Sequence, residues 1–246
     1  MDKGTIFISL VIPAYNESKT IANAIDKVLL YFTKKDYLFE IIVVDDGSID
    51  DTGYLVTNLS KKWPSIRLIT HTHNIGKGFS VKNGILAARG DYILFSDADL
   101  SVPIEELDKI MAYFSQGYDM VIGSRALQES SIILRQSWFR QGMGRIFNLL
   151  VRLLGLASIR DTQCGFKCFS KNAAQKIFNL QRLNSFCFDV EILHIAKFLK
   201  YKIKEVPIIW INRVDSRVSI IKDSLLMLFD LLKIRLNILL GFYNAA

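Results

Sequence analysis

Short apolar runs alternate with helix-spaced apolar patterns through the first half of the chain, and several of the runs stop on acidic clusters. Ile6–Ile12 has the pattern of a buried strand closed by Pro13, and Ile21, Ile25, Val28, Leu29 and Phe32 then recur at helical spacing. Glu40–Val44 reads as a second strand ending on Asp45 and Asp46. The helix after it begins at Asp50-Asp51-Thr52, where capping and the helix dipole favour negative side chains. Ile66–Ile69 and Tyr92–Phe95 supply the third and fourth strands, with a helix at Val81–Ala88 between them. A further helix opens near Pro103, and Met120–Gly123 is a fifth strand. Strands rich in Val, Ile and Leu, alternating with amphipathic helices, specify an α/β fold: a mostly parallel sheet with helices on both faces.

In sheets of this kind ligands bind beyond the carboxyl ends of the strands. There the sequence places Ala14-Tyr15-Asn16-Glu17, Asp45-Asp46 and Asp97-Ala98-Asp99, so three acidic clusters converge on one edge. Gathered carboxylates repel unless a cation or hydrogen-bond donors join them. Asp97 and Asp99, one residue apart on an extended segment, point the same way and offer two hard oxygen ligands to Mg²⁺ or Mn²⁺, with positions left for phosphate oxygens.

The motifs resemble those of a known family. VIPAYNES, VVDDGSIDDT, HNIGKGFSVKNG, FSDADLS and VIGSR follow one another as in family 2 glycosyltransferases of the GT-A fold. RDTQCGFKCFS (Arg160–Ser170), FCFDVEIL (Phe186–Leu193) and EVPIIW (Glu205–Trp210) resemble the dolichyl-phosphate glucosyltransferases and their bacterial relatives. The resemblance implies that Pro13, Ala14, Tyr15 and Glu17 line a nucleotide pocket and that Asp45 or Asp46 hydrogen-bonds the base. It implies that Gly76 and Gly78 let the backbone pass close to the nucleotide, with Lys77 near phosphate. Asp97 and Ala98 would meet the sugar or ribose, and Asp99 the metal. Arg213 and Arg217 sit where relatives carry a basic residue that reaches the diphosphate.

Asp99, Arg125 and Asp189 are the residues expected to carry the reaction. Arg125, just past the fifth strand, suits an acceptor phosphate because its planar fork matches phosphate oxygens, and Arg140 is a second candidate. The alternative for Arg125 is an ion pair with a neighbouring Asp. The reaction expected is an in-line displacement with inversion, a nucleoside diphosphate leaving. A lipid phosphate is already an anion and needs positioning arginines more than a base. Asp189 or Glu191 is where a base would come from, though orienting an arginine or the acceptor is the better role. UDP-glucose is the first donor expected and GDP-mannose the second.

A net charge of +7 permits an anionic partner without naming one. Between Ala126 and Arg160 the arginines alternate with aromatic and aliphatic residues, which describes a helix at about 136–154 lying in a lipid headgroup plane rather than a nucleic-acid stripe. Residues 218–246 form a second amphipathic stretch appended to a catalytic domain at 1–217, where helix packing or a homodimer is an equal reading. The longest uncharged run, Gly4 to Asn16, falls short of the ~20 apolar residues a spanning helix needs. Three cysteines argue for a reducing compartment, and Cys164 and Cys168 lack the partners of a structural zinc site. The expected location is the cytoplasmic face of a membrane, peripherally bound.

The competing readings are a family 2 enzyme acting on a polysaccharide, a nucleotide binder without catalysis, and a nucleic-acid binder. The lack of a Q-x-x-R-W pattern, the intact D-x-D and the greasy spacing of the arginines weigh against them in turn.

Overall fold

The computed structural model describes residues 6–133, 151, 156–211 and 220–244. Its strands are β1 (Phe7–Ala14), β2 (Leu38–Asp45), β3 (Ile66–Thr70), β4 (Tyr92–Ser96), β5 (Met120–Ser124), β6 (Ser131–Ile133), β7 (Phe166–Ser170), β8 (Ile203–Pro207) and β9 (Ile209–Ile211). Its helices are α1 (Ile21–Phe32), α2 (Thr52–Lys62), α3 (Lys77–Ala87), α4 (Leu107–Phe114), α5 (Lys171–Leu180), α6 (Phe188–Phe198) and α7 (Ile220–Leu239).

Seven strands form one sheet in the order β3-β2-β1-β4-β7-β5-β8, and β6 pairs with β9 beside it. The pairings β1–β2, β1–β4, β2–β3 and β5–β8 are parallel, as the alternating pattern requires. Strand β7 runs against both its neighbours. The reversal has a consequence for function. An antiparallel strand begins where parallel neighbours end, so the start of β7 lies at the edge where β4 and β5 finish. Lys167 is paired with Phe95 on one side and Ile122 on the other.

Strand residues alternate between two cores because successive side chains point to opposite faces. Leu10, Ile12, Ile41 and Val43 pack with α1 and Ile110 of α4. Val11, Ile42 and Val44 pack on the other face with Val81 and Ile85 of α3, with α5 and α6, and with Leu231 and Ile234 of α7. Leu10, Val11 and Ile12 are fully buried, each contributing about 1.5–3 kcal/mol relative to exposure. Among the described residues no helix is long and apolar enough to cross a membrane.

Candidate active site

The loops beyond β1 and β2 are tied to one another. The Asn16 N–H donates to Ser48 Oγ (2.8 Å), and Asn16 Oδ1 accepts from the Ile49 N–H (2.8 Å). Glu17 N–H donates to Thr52 Oγ1 (2.7 Å) and Ser18 N–H to Asp50 Oδ2 (3.1 Å). Asp50 Oδ1 also accepts from the Thr52 N–H at 3.1 Å. Burial opposes ionisation of Asp50, but these donors prevail and hold its pKa down to about 2. Asp50 is therefore a clamp between two loops, whereas Asp51, at the N-cap of α2, makes no side-chain cap bond. Pro13 and Ala14 end β1 opposite Val44 and Asp45, which keeps Tyr15 and Glu17 beside the Asp45-Asp46 corner.

Asp45 and Asp46 are both buried and do different things. Asp45 Oδ1 accepts from the Ser48 N–H (3.0 Å). Asp46 turns toward the loop before α3, where Oδ2 accepts from the Gly76 N–H (2.8 Å) and Oδ1 from the Ile75 N–H (3.1 Å). Asp46 Oδ1 is also 2.8 Å from His71 Nδ1, and His71 Nε2 is 2.9 Å from Asn83 Nδ2. A proton on Nδ1 satisfies both contacts.

Gly76 and Gly78 have another reason to be glycine than closeness to a nucleotide. A Cβ on Gly76 (φ +127°) would stand 2.4 Å from the Asn184 carbonyl oxygen, and one on Gly78 2.7 Å from that of Leu183. The start of α3 is pressed against the 183–185 loop, with the Gly78 N–H donating to Asn184 O (2.8 Å). The first residue of that helix, Lys77, reaches 2.7 Å from Asp97 Oδ1 and 5.3 Å from the Phe95 ring centroid. Burial disfavours its charge, but Asp97, Asp189 and Asp99 outweigh that and raise its pKa.

The extended geometry expected for Asp97 and Asp99 is not what forms. Strand β4 ends at Ser96, and the chain turns at once, the Leu100 N–H donating to Asp97 O (3.1 Å) with Leu100 at φ 47°. Asp99 is fixed by the Ser101 N–H (2.8 Å) and hydroxyl (2.7 Å), and Asp97 by Lys77. Asp97 lies flat over Gly165, where a Cβ would come within 2.0 Å of Oδ2. Its side chain remains 34% exposed, so the carboxylate is still open to a ligand. Among the described residues no group of three or more His, Cys, Asp or Glu is set to hold a metal ion. Two accessible carboxylates fit a hard cation that takes its other ligands from phosphate and water, and they fit nothing softer.

The turn before β7 supplies the opposite wall. Asp161 receives Arg125 as a fork, Nε to Oδ2 at 2.7 Å and Nη2 to Oδ1 at 2.9 Å, and its Oδ2 also accepts the Arg125 N–H (2.8 Å). The ion-pair alternative for Arg125 is thus realised. Its guanidinium is 29% exposed by side chain and lies 5.5 Å from the Trp210 ring centroid. Burial works against both charges, yet each partner prevails for the other, lowering the pKa of Asp161 and raising that of Arg125. Glu205 braces the turn by accepting from the Arg160 and Asp161 N–H groups (2.9 Å each). Thr162 Oγ1, Gln163 Nε2, Ser96 Oγ and Ser124 Oγ are buried without a hydrogen-bond partner among the described residues.

Beneath the site, Lys167 is wholly buried, donating to Cys164 O (2.5 Å) and pairing with Asp189. Burial raises the Asp189 pKa against the pull of Lys167 and Lys77. A buried lysine cannot stand unpaired, so Asp189 is committed to it. Glu191 is elsewhere engaged, accepting from the Arg182 and Leu183 N–H groups and, at 2.7 Å, from Tyr243 Oη. It ties the 182–183 loop to the tail.

Lys77, Asp97, Asp99, Arg125 and Asp189 are thus drawn to one edge, joined by three residues given no role from sequence: Asp161, Gly165 and Lys167. Their motif was visible, but their placement depends on the reversal of β7. Arg140, Arg213, Arg217 and, apart from Val151, the 136–154 helix lie outside the described residues. Cys164, Cys168 and Cys187 are free and buried, and burial pushes the Cys164 thiol up to about 12.

A mostly parallel sheet with an acidic D-x-D turn at its carboxyl edge defines the nucleotide-sugar transferase class of GT-A fold. The model of "Glycosyl transferase family 2" matches residues 9–178, and the chain belongs to that family. The dolichyl-phosphate beta-glucosyltransferase of Homo sapiens is 36% identical over 253 residues, covering 98% of this chain and 78% of the relative. That of Dictyostelium discoideum is 36% identical over 251 residues, covering 97% and 77%. Two solved structures share the fold. Glucosyl-3-phosphoglycerate synthase from Mycobacterium tuberculosis, in complex with Mn²⁺, UDP-glucose and phosphoglyceric acid, aligns with a TM-score of 0.65, 20% identity and coverage of 94% and 80%. Mannosyl-3-phosphoglycerate synthase from Rubrobacter xylanophilus aligns at 0.68, 16% identity and coverage of 94% and 74%.

Proposed function

We propose that this glycosyltransferase moves glucose from UDP-glucose onto a dolichyl or other polyprenyl phosphate at the cytoplasmic face of a membrane, with inversion at the anomeric carbon. The observation that carries the acceptor is that Asp161 holds Arg125 by Nε and Nη2 beside the D-x-D turn, which leaves the Nη1 donors of a fixed guanidinium for a phosphate, with buried unpaired donors on the same Asp161 turn. A phosphate monoester needs no proton removed before it attacks, and Asp189 is held by Lys167 rather than left as a base. The names of the relatives favour the same acceptor and sugar.

In this mechanism the β1 and β2 corner, with Tyr15, Glu17, Asp45 and Asp46, receives the nucleoside. Asp97 and Asp99 would hold a divalent cation, Mn²⁺ or Mg²⁺, which when bound neutralises charge on the diphosphate. Lys77, steered by Asp97, contributes positive charge beside the leaving group. Arg125, locked by Asp161 and stacked near Trp210, orients the acceptor phosphate for in-line attack, so that the chain supplies position and electrostatics rather than proton transfer.

The test offers UDP-glucose and GDP-mannose separately with a short polyprenyl phosphate and reads the product anomer by proton NMR coupling. A β-glucosyl phosphate is expected. An α-linked product or a mannosyl lipid contradicts the assignment.

A further inference from the structure

Helix α7 has two faces that differ in kind. Leu231, Ile234 and Asn237 are buried, and Asp230 turns inward to accept the Ser185 hydroxyl. On the opposite side Leu228, Phe229, Leu232, Leu236, Leu239 and Leu240 are all exposed, Phe229 by 67% and Leu239 by 69%. At helical periodicity the five within the helix fill a continuous arc of about 100°, which Leu240, just past its end, extends to about 120°. Lys233 borders that arc along one side and Arg235 along the other. Neither has an ion pair among the described residues, and the one acid of this stretch, Asp230, is spent on the protein. Lys197 of the adjoining α6 adds to the same field: beyond burial, Lys197 and Arg235 both lower the pKa of His194.

We propose that this face docks on an anionic lipid bilayer. An apolar arc bordered by cations on both sides places leucines in the acyl boundary and the two cations among headgroup phosphates. A second copy of the chain is the poorer occupant. In any symmetric pairing of this face, cation borders meet cation borders with no outward acid among residues 226–244 to offset them. The docking rests on the lipid-phosphate acceptor for its purpose, since it would bring the enzyme to a substrate that stays in the membrane.

The test is cosedimentation of the full chain with phosphatidylcholine vesicles, with and without phosphatidylglycerol. Wild type should bind the anionic vesicles. The exposed double variant L232E/L236E should bind at least tenfold more weakly, and K233E/R235E should lose its preference for phosphatidylglycerol, about fivefold per cation. Both variants should still glycosylate polyprenyl phosphate dispersed in detergent at the wild-type rate, which shows that they fold. Wild type that ignores vesicles, or L232E/L236E that binds as wild type, overturns the docking. So does a wild-type dimer in sedimentation velocity that L232E/L236E dissolves. Vesicle binding with no lipid product from any donor would leave the docking standing and remove the proposed acceptor.

Discussion

Arg125 and Asp161 face each other through two parallel hydrogen bonds of 2.7 and 2.9 Å, and the same carboxylate anchors the Arg125 main chain at 2.8 Å. Side chain and backbone of the arginine are thereby set by one residue across the edge of the sheet. Replacing Arg125 by Lys keeps the charge and loses the fork, so kcat/KM for the acceptor should fall roughly a hundredfold with donor KM unchanged. Asp161→Ala should lower stability by about 3 kcal/mol, because it strands a largely buried guanidinium, and urea unfolding measures it. An R125K enzyme with wild-type acceptor kinetics would remove Arg125 from the phosphate site.

Gly165→Ala places a methyl group 2.0 Å from where Asp97 Oδ2 now lies. Because Asp97 is partly exposed, its side chain can swing away, so the fold survives while the Lys77 contact is lost. Donor KM should rise at least about tenfold, with a thermal midpoint within a few degrees of wild type.

His71→Phe keeps a ring of similar bulk but removes the donor to Asp46. Asp46 still binds Ile75 and Gly76, so the loop loosens without unravelling, at a cost of about 1–2 kcal/mol. The expected kinetic signature is a raised donor KM with little change in kcat, since the loop sets Lys77. An unchanged KM with only a lower melting temperature would make His71 a purely structural residue.

Acid should destabilise the protein through carboxylates whose pKa values are depressed in the fold. Asp50 is held at about 2, and Glu40 and Asp161 also lie below their ordinary values; in each case donors or cations overcome the opposing effect of burial. The unfolded chain binds protons at these groups first as pH falls, so their contribution is present above the ordinary carboxylate range and is lost through the depressed values. Urea midpoints should be flat near neutrality and drop below about pH 4, with a shallower slope in Asp50→Asn.

Much of this architecture was legible from periodicity alone. Leu10-Val11-Ile12 and Ile41–Val44 are buried on both faces and read as parallel strands, and the acids that follow them lie at the edge proposed to bind the donor. What could not be read was β7. Phe166–Ser170 has the composition of any buried strand, and nothing local in it specifies an antiparallel insertion between β4 and β5. Asp161, Gly165 and Lys167 reach the site only through that insertion. Asp97 and Asp99 follow β4 but without the strand geometry expected of them, because spacing alone does not reveal that Ser101 and Lys77 take one carboxylate each. Asp46 reads in sequence as a candidate for hydrogen-bonding the nucleotide base and Glu191 as a place a general base would come from, and only the donors around them show how far they serve the loops.

The central claim, metal-assisted transfer to a lipid phosphate, is tested most directly by following radiolabel from UDP-glucose into an organic phase containing polyprenyl phosphate, with Mg²⁺ or Mn²⁺ present and Asp99→Ala beside wild type. Label should enter the lipid with wild type and fall by at least about a hundredfold with Asp99→Ala or with chelator. Label released as free glucose or passed to a soluble sugar, with none in the lipid, would contradict the acceptor while leaving the family 2 fold in place.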